Sequence, residues 1–294
     1  MSETYGVLLA IVSSALGGMA AALTRYLVSS ADPITIALLR WGIGIVCLLP
    51  VALYLRARWP SRADWPGVVL LGISFFGVFF VLYNIAMSYT TAARASLALS
   101  TLPLQTMLVG AMLGIEPLTL RKAAGVAIAM AGVFAALLSS LSAAPDGAWK
   151  GEALMTVAVL CMAFYNVFSR PFIQRASPLG FLSLGMGSGA LTLLAFGTAG
   201  SRIDSLADFG MAQWIAGIVL GVAGGALAFI LWVMALQHAS PTRVATTMTV
   251  NPVFAALLAA ALVGEPITVN LMIGLVAVFA GIWVATTEAA VSRP

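Results

Sequence analysis

Long apolar runs follow one another along this chain with gaps of only a few residues, and that leaves few folds open. A helix needs about 20 mostly apolar residues to cross a hydrocarbon core of about 30 Å. Cutting the runs at charges, prolines and glycines yields segments of that order at 4–29, 33–55, 65–90, 92–114, 118–140, 150–174, 178–199, 210–237, 241–263 and 267–287. A transmembrane β-barrel would show short alternating segments of about 10 residues instead, and these runs are apolar all round. The fold class predicted is an all-α membrane protein with ten transmembrane helices. Only 8% of the 294 residues are charged, against about 25% in soluble domains. With a mean hydropathy of +1.06, no stretch remains for a separate soluble domain. The first run lacks the basic flank of a cleaved leader and continues past Ala22, so it reads as a retained span.

The chain also repeats itself. Glu116-Pro117 and Glu265-Pro266 fall on one another when the sequence is shifted by 149 residues (116 + 149 = 265). The same shift places Trp65 on Trp214, Gly72 on Gly221, Phe80 on Phe229, Arg94 on Arg243, Pro103 on Pro252 and Gly132 on Gly281. A shift of 145 does the same for the first two runs, placing Gly6 on Gly151, Arg25 on Arg170, Pro33 on Pro178 and Gly44 on Gly189. The halves are 1–145 and 146–294, each with five spans. An odd number makes the second copy enter the membrane from the opposite side, so the two five-helix repeats are inverted. That architecture belongs to secondary transporters, which hold substrate near the midplane at the repeat interface.

Lys and Arg in the short loops set the orientation. With the amino terminus inside, nine basic residues (Arg56, Arg58, Arg62, Arg121, Lys122, Arg170, Arg175, Arg243, Arg293) face the cytoplasm, against four outside (Arg25, Arg94, Lys150, Arg202). Both termini are therefore expected in the cytoplasm of a cell whose inner membrane holds the chain.

The segments "AMSYTTAARASLALSTLPLQTMLVGAMLGIEPLT" and "ALQHASPTRVATTMTVNPVFAALLAAALVGEPIT" resemble the two EamA repeats of the drug/metabolite transporter superfamily. In that family a helix with a central proline ends in a Gly-Glu pattern before a glycine-rich last helix. The resemblance covers essentially the whole chain. In the first copy Ile115 intervenes between Gly114 and Glu116. The resemblance implies ten helices, cytoplasmic termini and export of amino acids or other small metabolites, and the chain looks most similar to the YddG-like amino-acid exporters. The alternative is efflux of drugs or toxic cations, or carriage of another metabolite by the same fold.

The candidate substrate cavity is drawn from polar and aromatic residues at membrane depth. Pro103 and Pro252 lie near the middle of the fourth and ninth spans, where each removes a backbone N–H and frees a carbonyl at Leu99 or Met248. They are read as hinges, with Ser100, Gln105, Thr249 and Asn251 beside them lining a wet cavity; a static kink satisfied by neighbouring helices is the other reading. Phe80 with Phe229 and Tyr83 with Trp232 are twinned aromatics three residues apart on one helical face. They suit large neutral or aromatic side chains, although any one of the rings also fits plain helix packing. Asn84 and Asn166 are further intramembrane amides that need a partner or a cavity. Arg40 lies inside the second span and is read as snorkelling beside Asp32 or to the outer interface; the competing reading gives it a substrate carboxylate.

Other functions find little support in the residues. No paired carboxylates, Ser/His/Asp set, metal-ligand cluster or phosphate-cradling loop is visible, so no enzyme, cofactor or metal is expected. Cys47 and Cys161 lie in apolar runs without metal-ligand spacing, and the net charge of +4 is scattered singly, which points away from nucleic acid. The expected partners are a small-molecule substrate and the lipid bilayer, with a monomer as the working unit. No acidic relay is visible at membrane depth, which favours facilitated diffusion over proton antiport through His238 or an interfacial carboxylate.

Overall fold

The computed structural model describes residues 3–28, 30–89, 98–99, 101–115, 117, 119–137, 147–199, 202–251, 253–254, 276–277, 280 and 284. Among these, every regular element is a helix: α1 (Glu3–Leu27), α2 (Pro33–Tyr54), α3 (Trp65–Tyr89), α4 (Leu102–Met112), α5 (Leu120–Leu137), α6 (Ala148–Arg175), α7 (Pro178–Ala199), α8 (Met211–His238) and α9 (Pro241–Thr246). A 3-10 turn at Arg202–Asp208 joins α7 to α8, and another at Thr247–Thr249 continues α9. Six of the described helices, α1, α2, α3, α6, α7 and α8, are long and apolar enough to cross a membrane, while α4 and the Ala123–Gly132 stretch of α5 are shorter apolar helices. The chain is thus a multi-pass membrane protein. Most of the predicted tenth span, together with Glu116, the Glu265-Pro266 pair, Arg94, and the proposed cavity and hinge residues Ser100 and Pro252, lies outside the described residues.

Local chemistry accounts for the helix boundaries. α2 begins where the Asp32 carboxylate accepts the Ile34 N–H at 2.8 Å, with Pro33 in the first turn where its missing N–H costs nothing. α4 ends at Gly114, whose φ of +65° carries the chain out of the helix while the Ile115 N–H returns to the Gly110 carbonyl at 2.9 Å. α3 and α8 each contain a π-helical stretch, Ile73–Phe79 and Val222–Leu227. These occupy corresponding places under the shift of 149 (73 + 149 = 222). Widening the helix in this way leaves carbonyls outside the ordinary ladder, and such bulges gather at functional sites.

α2 packs along α7, α1 along α8, and α3 along α7, with α2 also covering the π-helical part of α8. Small residues permit the close crossings, since apolar lipid offers no hydrophobic gain and helix contact must come from tight packing. Gly72 of α3 lies against the Gly185 backbone of α7, and Gly221 of α8 against Ile43 and the Arg40 carbonyl of α2. Likewise Gly189 abuts the Gly72 carbonyl, while Gly44 stands opposite the Gly221 carbonyl. Each member of one pair is a shift of 149 or 145 from a member of the other (72 + 149 = 221; 44 + 145 = 189).

The helix ends sort into two layers. At one end the Arg58 guanidinium donates to the Ala176 carbonyl at 2.9 Å, and the Arg175 guanidinium pairs with Asp64 at 2.6 Å. Glu3 pairs with Arg243 across α1 and α9, and the ring of Tyr5 meets His238 edge-on at 5.7 Å. At the other end Arg202 approaches Asp32 at 3.8 Å, and the Thr35 hydroxyl donates to the Arg202 carbonyl at 2.6 Å. Hydrogen bonds from Arg175 and then Ser61 hold the Asp64 carboxyl below its ordinary value of 3.8. A depressed acid contributes stability above its unfolded value and loses it as pH falls through the folded one. Asp64→Asn is therefore expected to remove a small acid-dependent loss of stability that the native protein shows below about pH 4. Melting curves of both proteins between pH 3 and 7 check this; identical pH dependence would refute it.

Candidate functional site

A narrow cavity of about 50 Å³ opens among α1, α2, α3, α6, α8 and the segment after α9. It has room for a few waters and is well below the ~300–1,000 Å³ usual for small-molecule sites. The aromatic side chains around it account for that. Trp41 meets Phe80 at 4.5 Å and Phe229 at 5.1 Å, while Phe75 stacks on Tyr165 at 4.5 Å and on Phe79 at 5.1 Å. These rings close on one another in the arrangement described. Admitting a larger molecule requires rotamer changes or helix movement.

The lining splits into two groups when the two halves are compared. Phe79 and Ala228, Phe80 and Phe229, Tyr83 and Trp232, and Leu99 and Met248 are related by the shift of 149, and Gly17 and Met162 by 145. These make an apolar and aromatic wall contributed position for position by both halves. The remaining members are Ser13, Arg40, Phe75 and Asn251. Their counterparts are Ala158 (13 + 145), Gly185 (40 + 145), Gly224 (75 + 149) and Leu102 (251 − 149). Every strongly polar side chain of the wall except the Tyr83 and Trp232 heads is thus an untwinned one.

Arg40 overturns the snorkelling expectation. It is only 7% exposed, and its side chain turns into the cavity instead of running to the outer interface. Asp32, its expected neighbour, is approached by Arg202. The guanidinium donates from Nη2 to the Gly224 carbonyl at 2.6 Å, within the π-helical stretch of α8. Its carbon lies 4.7 Å from the centre of the Trp41 ring and 4.8 Å from that of Phe80. Ring faces and a freed carbonyl are what make a buried cation tolerable. Among the described residues no carboxylate pairs with it, and its Nε has no hydrogen-bond partner. Gly224 sits close against α1, where a Cβ would stand 2.6 Å from the Ala20 Cβ, so a ring like that of its twin Phe75 has no room there.

The expected site residues separate by what they touch. Phe80, Tyr83, Phe229, Trp232 and Asn251 line the cavity together. Asn84 does not; its amide donates to the Pro33 carbonyl at 2.8 Å and ties α3 to the start of α2. Asn166 stands behind the wall, accepting the Trp232 indole N–H at 2.9 Å and so fixing that ring. Gln105 donates to the Thr101 hydroxyl at 3.1 Å and the Thr156 carbonyl at 3.3 Å, away from the cavity. The Thr249 hydroxyl bonds back to the Thr246 carbonyl at 2.7 Å, the usual fate of a threonine inside a helix. Pro103 sits in the first turn of α4, where its missing N–H removes no hydrogen bond within that helix. Its neighbour Leu99 does reach the cavity.

Phe75 and Phe79 are lining residues that sequence reasoning missed. A search for twinned aromatics cannot find Phe75 or Phe79, because their counterparts are Gly224 and Ala228. The available signal was spacing: Phe75, Phe79 and Tyr83 recur every four residues and so share one helical face. Ser13 donates to the Ala228 carbonyl at 2.7 Å, a second link to the backbone beside the π-helical stretch of α8.

Comparison with known proteins agrees with this architecture. The chain is 27% identical to an uncharacterised transporter of Archaeoglobus fulgidus over 92% of its length and 95% of the relative's. It is 27% identical to a probable amino-acid metabolite efflux pump of Salmonella typhimurium, covering 76% of this chain and 78% of that one. A probable terminal-alkyne amino-acid exporter of Streptantibioticus cattleyicolor is 24% identical, covering 78% and 76%. A solved crystal structure superposes with a TM-score of 0.78 over 97% of both chains at 18% identity, so the fold is shared. The model of the EamA-like transporter family matches twice, over residues 4–138 and 149–287. With both halves matched, the chain belongs to the EamA-like transporter family, and it is a membrane transporter, not an enzyme.

Proposed function

We propose that this protein is a secondary transporter that exports amino acids, above all large neutral or aromatic ones, by alternating access through the central cavity. The two halves, 1–145 and 146–294, form one membrane domain of ten helices as inverted repeats, with the cavity on the axis between them. The observation that carries this reading is the wall itself: pairs such as Phe80 with Phe229 and Tyr83 with Trp232 come from corresponding positions of both halves and meet around one space. A site shared in this way opens to one face when the halves tilt one way and to the other when they tilt back. The aromatic surface suits an aromatic or branched side chain. Two relatives bear names of amino-acid efflux proteins, which supports the substrate class.

The end that carries Arg58, Arg175 and Arg243 is assigned to the cytoplasm, together with both termini, in the cell inner membrane. Efflux of cationic drugs, the competing function, is disfavoured by Arg40, since the fully charged side chain in the described wall is itself a cation. No carboxylate lines the described cavity, so transport is assigned to facilitated diffusion.

Counterflow in proteoliposomes tests this directly. Phenylalanine and leucine are expected to exchange saturably, to be accelerated by substrate on the opposite side, and to respond little to an imposed pH gradient. Movement of a sugar or nucleotide derivative with no amino acid would overturn the substrate class, and unsaturable flux without acceleration would indicate a channel.

A further inference from the structure

We propose that Arg40 and Asn251 form a head-group site that recognises the two ends of an α-amino acid, Arg40 taking the carboxylate and the Asn251 carbonyl the ammonium. The inference rests on the amino-acid reading above and makes it specific. Both side chains are more than nine-tenths buried and line the same cavity. Each keeps an unused group: the Nε–H of Arg40 has no acceptor, and Oδ1 of Asn251 has no donor. A buried donor or acceptor without a partner costs about 1–3 kcal/mol, more for a charged group, so an unmatched pair in one cavity points to a ligand that supplies both complements.

The chemistry of those complements is definite. The Arg40 fork has one terminal nitrogen engaged at Gly224 and keeps Nε free, which favours a planar anion; a carboxylate matches this geometry. An ammonium matches a lone amide carbonyl in a cavity that aromatic side chains also line. A phosphate calls for more than one buried cation, and no second one lines the described cavity. The comparison between halves sharpens the assignment. The twins of Arg40 and Asn251 are Gly185 and Leu102, so the head-group site is built on one side of a wall whose apolar part is symmetric. A zwitterion with one apolar side chain needs such an arrangement: polar recognition at one end and a greasy surface for the rest. The Gly17 position allows it, because a Cβ there would stand 2.7 Å from the Asn251 amide nitrogen and push that side chain away.

The test compares ligands that differ only in the head group, using the full-length purified protein. Phenylalanine, 3-phenylpropanoate (carboxylate alone), phenylalaninamide (ammonium alone) and phenethylamine are titrated against thermal stabilisation and against phenylalanine counterflow. In the native protein phenylalanine and 3-phenylpropanoate are expected to bind at least tenfold more tightly than phenylalaninamide. Arg40→Gln is expected to weaken the two carboxylates roughly 10- to 100-fold and to leave phenylalaninamide unchanged, with Arg40→Lys recovering part of the loss. Asn251→Leu is expected to weaken phenylalanine but not 3-phenylpropanoate. Equal binding of phenylalanine and its amide by the native protein would overturn the assignment without any variant. Equal weakening of all ligands by Arg40→Gln, or of none, would also overturn it. If 3-phenylpropanoate binds through Arg40 but no amino acid is moved, the amino-acid function fails while the carboxylate site stands; if amino acids move but Arg40→Gln is silent, the reverse holds.

Discussion

Gly72→Val is expected to abolish transport and lower the apparent melting temperature by roughly 5–10 °C. A Cβ at this position would overlap the Gly185 carbonyl and the Ser188 hydroxyl and stand 2.6 Å from the Gly185 Cα. Two of those three atoms are backbone, so no side chain can rotate aside to make room. Overpacking a tight contact costs about 1–3 kcal/mol, and here the strain lands where α3 must slide or tilt against α7. Gly77→Ala supplies the control. Its nearest foreign atom is the Ile73 Cγ2 at 4.0 Å, and alanine favours helix over glycine, so stability should hold or rise slightly. Melting and counterflow measured on both variants decide the matter. A Gly72→Val protein with native melting and native flux would show that the α3–α7 crossing is looser than described.

Trp232→Ala is the second substitution with a large expected effect, about 3–5 kcal/mol of stability and most of the affinity for aromatic substrates. The indole is almost fully buried, faces the cavity, and is held by the Asn166 amide at 2.9 Å. The Nδ2 of Asn166 makes no hydrogen bond, so the placement of the amide depends on the indole N–H that its Oδ1 accepts. Asn166→Leu alone should strand the indole N–H and cost about 1–3 kcal/mol, and Trp232→Phe alone should strand the amide. Replacing both together should cost less than the sum of the two by about 1–2 kcal/mol, because no buried polar group is left without a partner. Additive losses in melting and in the KM for phenylalanine would show that the hydrogen bond does not hold the ring.

The asparagines show how far a sequence can be read at membrane depth. Asn84, Asn166 and Asn251 are equivalent by the rule that each needs a partner or a cavity. The structure gives Asn84 a carbonyl, Asn166 an indole and Asn251 the cavity, and nothing local distinguishes them. Arg40 is similar. Its cost in lipid is legible from its position in the run, but whether it escapes outward or turns inward depends on which side of α2 meets the other helices. α2 is apolar all round, so the sequence carries no amphipathic stripe to settle that. The place of Pro103 in the first turn of α4 is likewise not legible in sequence, since proline is compatible both with a kinked helix and with a new first turn.

What the amino-acid sequence determined by itself are the properties that repeat or accumulate along the chain. Run length against bilayer thickness dictates spanning helices, and the matching registers of 149 and 145 residues dictate which positions are paired. The pairing of Phe80 with Phe229 and of Tyr83 with Trp232 followed from register alone, and these residues share the cavity wall. Only the tertiary structure decided where the polar groups point. A single buried charge or amide is placed by the atoms that happen to surround it, at Gly224, Trp41 and Phe80 for Arg40, and those come from segments as far as 184 residues away.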